Sequence, residues 1–181
     1  MQQHDTKPAG KPYGRFALMI LASTVLMYGL MYLNTYEFDH VTFSQTRLWM
    51  ALLMGASMAF VMMAFMWRMY PHKPLNTAIL GGSVIVFALS LWLVRSQQTV
   101  DDVSYMSAMI PHHSIAIMTS ERAHIRDPRV RKLADGIIRA QVKEIGEMKD
   151  LIADLRKHPT AANAPDLPSY RQRGAPPPAP E

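Results

Sequence analysis

The chain has no cysteine. It can therefore build no disulfide framework, no thiolate zinc site and no cysteine nucleophile. A phosphate-cradling glycine loop, an H-E-x-x-H helix and a Ser/His/Asp arrangement are missing too, so hydrolase or kinase chemistry has no residues to run on. A non-enzyme is expected. Charge is absent from three long stretches: Phe16 to Leu33, Leu48 to Trp67 and Leu75 to Val94 hold no Asp, Glu, Lys or Arg. The net charge of +5 is not a nucleic-acid footprint either. After Leu93, 13 Lys/Arg stand against 11 Asp/Glu, which leaves no basic face with interleaved aromatics. What the chain has in excess is methionine, 15 in 181 residues.

Each uncharged run is long enough to cross a bilayer core at about 1.5 Å per residue. The first is too long for a signal-peptide core and ends at no small-residue cleavage site, so it reads as an uncleaved span. The expected layout is an arm over 1–15, a three-span membrane unit over 16–95 (spans about 16–33, 48–67 and 75–94), a soluble hairpin over 96–158 and a disordered Pro-rich tail over 159–181. Trp49, Trp67, Tyr70 and Trp92 mark the span ends, where aromatic belts sit. Lys7, Lys11, Arg15, Arg68 and Lys73 fall on one side of the membrane; the first loop opposite holds Glu37, Asp39 and only Arg47. The positive-inside rule then places the amino terminus in the cytoplasm and the hairpin outside, periplasmic or extracellular if the membrane is a bacterial inner membrane.

Within the second span Met50, Met54, Met58, Met62 and Met66 recur every four residues. A thioether ladder for Cu(I) is one reading. Packing by a flexible apolar side chain is the stronger one, because the row winds round the helix and the neighbouring spans offer few partners. The loop Asn34 to His40 offers Glu37, Asp39 and His40, an oxygen/nitrogen set that also suits a plain polar turn or a dock for the hairpin.

From Asp101 the pattern becomes that of a soluble helix capped by Asp101 or Asp102. At helical spacing Met106, Met109, His113, Ala116, Ser120 and His124 share a face, with His112 on its shoulder. Pro111 removes one backbone donor, frees the Ser107 carbonyl and bends the helix, which could turn both histidines into one groove. Asp127 and Pro128 restart a second helix, whose Gln141, Glu144, Ile145 and Met148 form the facing stripe. Thioethers and imidazoles converging this way suit a soft or borderline metal, copper above all. Gln141 and Glu144 would orient an imidazole from behind.

These residues resemble a known family. M-x-x-M-I-P-H-H from Met106 to His113, with Asp127-Pro128 and the later Q-x-x-E-I-x-x-M from Gln141 to Met148, looks like the domain-of-unknown-function 305 pattern over roughly 101–155. The resemblance implies a ferritin-like helical fold, with copper binding and copper tolerance in some members. Carried over, the candidate ligands are Met106, Met109, His112, His113, Met118 and Met148. Family members often carry the hairpin twice; here it occurs once, so a homodimer is expected to complete a four-helix bundle. The fold class is thus all-α. Two other readings compete. Glu121 and His124 form an E-x-x-H pair of the di-iron carboxylate type, although they lie beside the interhelical loop. A metal-free helical module that docks a membrane partner would keep the apolar stripe and tolerate loss of the histidines.

Overall fold

A computed structural model describes residues 10–161 and 163–170. Five helices and one short 3₁₀ turn make up the order: α1 Gly10–Leu30, the turn Phe38–His40, α2 Gln45–Phe65, α3 Lys73–Ser96, α4 Asp102–Arg122 and α5 Pro128–Leu155. The fold is all-helical, with no strand among the described residues.

The first three helices include segments Pro12–Leu30, Gln45–Phe65 and Lys73–Ser96 that are long and apolar enough to cross a membrane. Leu21, Val25, Phe65, Ile85 and Leu89 stand exposed on them, as lipid-facing side chains would. Small residues carry the contacts between helices. Ala51, Gly55 and Ala56 are buried on α2, and Asn76, Ser83 and Ser90 form a buried line at seven-residue steps on α3. A β-carbon at Gly55 would collide with the Thr24 hydroxyl, so the absence of a side chain there lets α1 approach α2.

Helix α1 begins at Gly10, ahead of the apolar run, so part of the expected arm is ordered; residues 1–9 lie outside the described residues. The reason is a polar and aromatic anchor. The Tyr13 hydroxyl donates to Asn76 Oδ1 at 2.8 Å and accepts from the His72 amide at 3.1 Å. Asn76 Nδ2 in turn donates to the Tyr70 carbonyl at 3.2 Å. Tyr13, tilted, and Phe16, edge-on, pack against Tyr70 with centroids 4.9 and 5.8 Å away. Met63 is fully buried in this cluster and Met62 and Met66 pack against it, whereas Met50 and Met69 are exposed. Those three methionines pack among the aromatic and apolar side chains of this cluster.

Beyond the membrane unit, α4 and α5 form the expected hairpin. Asp101 is the cap of α4 and accepts from the Ser104 amide at 2.7 Å. Asp127 caps α5, with Pro128 in its first turn. After Leu155 the described part of the expected tail carries no helix or strand; residues 162 and 171–181 lie outside the described residues.

Candidate metal centre

The hairpin core is built from Met106, Ile110 and Ile117 of α4 against Ile145, Met148 and Ile152 of α5. On α5 this is the stripe read from the sequence. On α4 it is rotated: Ile110, Ser114 and Ile117 face inward, and Met109 and His113 sit on the flank. Isoleucine gains more from burial than histidine, so the apolar row sets the rotation and the ligand row follows it.

An open groove of about 600 Å³ runs along that flank, lined by Asp102, Met106, His113, Glu144, Glu147 and Met148 among others. Two thioethers, an imidazole and three carboxylates line it from both helices, with no lysine or arginine among the lining residues. His113 Nδ1 lies 3.1 Å from Glu144 Oε2, but off the line of a good hydrogen bond, so the nitrogen has no properly aligned partner. Gln141 Nε2 reaches the same Glu144 oxygen at 3.4 Å. Burial lowers the His113 pKa, Glu144 opposes that shift, and neighbouring His112 adds to it. Burial thus favours the neutral ring, the form in which imidazole binds metals.

The structure does not bring every candidate together. His112 is exposed; its ring centroid lies 6.5 Å from that of His113 and the rings are tilted by 56°. Adjacent helical positions diverge by about 100°, and the proline does not undo that. Met109 packs against the core cluster instead of lining the groove. Met118 is half-buried and lies outside the groove lining. His124 lies exposed past the end of α4, so Glu121 and His124 make no mid-bundle iron site. Glu121 instead acts on Tyr36, raising the tyrosine's pKa.

The contacts of the loop between α1 and α2 were the least legible part. Ser114 is fully buried and receives that loop: the Tyr36 amide donates to its Oγ at 2.7 Å, and His40 Nδ1 lies 3.0 Å away. The Thr42 hydroxyl donates to the Ser107 carbonyl, the acceptor that Pro111 leaves without its helical partner. Lys149 of α5 meets Asp39 at 2.6 Å. The dock reading of the loop is the one the contacts follow. Asp102 and Glu147 as groove residues were also missed, although they lie one turn from Met106 and Glu144 and the helical period could have found them.

Three candidate spans joined to a further helical hairpin define the class, a helical membrane protein. Residues 102–177 match the family described as "Domain of unknown function (DUF305)". The chain is also similar to a protein of Acanthamoeba polyphaga mimivirus named "Uncharacterized protein L153", 32% identical over 143 residues that cover 77% of this chain and 91% of the viral one. The chain belongs to this DUF305 family. An overlap covering 77% of the chain cannot be held by the hairpin alone, so the likeness runs into the membrane unit. No solved structure matches.

Proposed function

We propose that the protein is a membrane-anchored copper-binding protein that sequesters Cu(I) or Cu(II) outside the membrane, or hands it on, in metal tolerance. The observation that carries this is that Met106, Met148, His113 and Glu144 line one groove, with His113 and Glu144 3.1 Å apart in it. Thioether sulfur favours Cu(I), while imidazole and carboxylate favour Cu(II), so this donor set fits either redox state. Met106 and Met148 would hold the soft ion, His113 would bind either, and Glu144 would ligate or orient the imidazole, backed by Gln141. Asp102 and Glu147 add negative charge at the mouth, which raises the local concentration of cations. The chain acts as a binder and carries out no catalysis. The lysines and arginines at the start of α1 and around the start of α3 support a cytoplasmic amino terminus and a hairpin outside a bacterial inner membrane.

A second copy would complete a four-helix bundle. Val130, Leu133 and Ile137, at i, i+3 and i+7 on α5, are exposed and form the face that a homodimer would cover. The same face supports the other reading, a metal-free module docked on a membrane partner. The two separate in one experiment. The full chain in detergent micelles is titrated with Cu(I) against a chromophoric chelator, with Met106→Leu plus Met148→Leu and with His113→Asn as variants. Binding tighter than micromolar that weakens at least tenfold in each variant supports copper. Binding no tighter than that of the variants removes it and leaves the docking reading.

A further inference from the structure

Outside the groove, the loop between α1 and α2 gathers a second set of ligating atoms. Glu37, Asp39 and His40 each offer an atom within 4.8 Å of the others. Two exposed carboxylates alone would say nothing. The independent observation is His40, only 6% exposed and held by Ser114 at its Nδ1. That contact aims the other nitrogen: Nε2 lies 3.8 Å from Glu37 Oε2 and 3.7 Å from Asp39 Oδ1. Both separations are too long for hydrogen bonds. They are close to the spacing of ligands on one ion, since bonds of about 2.0–2.2 Å in a tetrahedron set ligand atoms about 3.3–3.6 Å apart. In the tautomer that donates Nδ1–H to Ser114, three acceptor atoms face one another, a set that a bound cation satisfies. Asp39 divides its oxygens, Oδ2 to Lys149 and Oδ1 toward His40, so the ion pair with α5 does not use up the ligand.

We propose that Glu37, Asp39 and His40 form a second cation site, separate from the Met/His groove, that takes a borderline divalent ion of the zinc type at the joint between membrane unit and hairpin. One imidazole with two carboxylates and no sulfur suits Zn²⁺ and gives Cu(I) nothing soft to bind. Ser114 is the positioning residue. It belongs to the hairpin while the ligands belong to the loop, so the ion forms its full site only with the two docked. Cation binding therefore fastens the hairpin to the membrane unit.

The test uses the full chain in micelles with the groove disabled by His113→Asn and Glu144→Gln, so that failure of the copper reading cannot disguise the result. Calorimetric titration with Zn²⁺ is expected to show one equivalent bound. Glu37→Gln should weaken it at least tenfold; Glu37 is exposed, so the helices should be unaffected, as circular dichroism checks. Ser114→Ala should weaken it about 10- to 100-fold, the usual cost of losing a residue that orients a ligand. Zinc should also slow amide exchange over residues 35–43. No zinc equivalent in the groove-disabled chain, or equal binding after Glu37→Gln, overturns the proposal.

Discussion

Thr42→Val keeps a β-branched side chain but deletes the hydroxyl that donates to the Ser107 carbonyl. That carbonyl has no helical donor, because Pro111 lacks an N–H. Leaving a buried acceptor unsatisfied costs about 1–3 kcal/mol. Thr42 and Ser107 are both half-buried, so water relieves part of the loss and the lower end, about 1 kcal/mol, applies. That corresponds to roughly a fivefold increase in local opening. Amide hydrogen exchange over α4 in the full chain reads it directly. The decisive comparison repeats the change in a Pro111→Ala background, where the restored amide satisfies Ser107 without help. Thr42→Val should then alter exchange by less than about twofold. An equal effect in both backgrounds would refute the idea that the loop substitutes for the proline's missing donor.

Three further outcomes follow from the same contacts. The Lys149 hydrogen bond, with its charge, lowers the Asp39 pKa below 3.8. A depressed carboxylate stabilises docking above its unfolded pKa and loses that contribution as pH falls through the folded value, so exchange over residues 35–43 should rise in acid below about pH 4, and less so in Asp39→Asn. Gly55→Leu should push α1 from α2 at Thr24, an overpacking cost of about 1–3 kcal/mol read as lower thermal stability in micelles; unchanged stability would mean the helices part freely there. Copper binding to the groove should persist to lower pH than a free imidazole of pKa 6.5 allows, because the half-buried His113 resists protonation; a midpoint at or above 6.5 would count against His113 as ligand.

Much of the architecture was legible because it depends on long-range periodicity. Uncharged runs fix the three spans to within a few residues, and Asp127-Pro128 marks the start of α5. Helix α1 starts early because Tyr13 finds Asn76, a partner 63 residues away that no local pattern announces. The groove was half legible. The α5 stripe stands as read, with Ile145 and Met148 in the hairpin core. On α4 two rows one residue apart compete, and Ile110 with Ile117 takes the core from Met109 and His113. Ser114 was not singled out, because a serine inside a helix gives no sign that a loop 74 positions earlier will bond to it.

The ligand set is tested most directly by X-ray absorption at the copper edge of the Cu(I)-loaded full chain. Binding in the groove predicts two sulfur scatterers with one nitrogen. Met106→Leu with Met148→Leu should remove the sulfur, and His113→Asn the nitrogen. A spectrum without sulfur, or one that both variants leave unchanged, would contradict a copper site built from Met106, Met148 and His113.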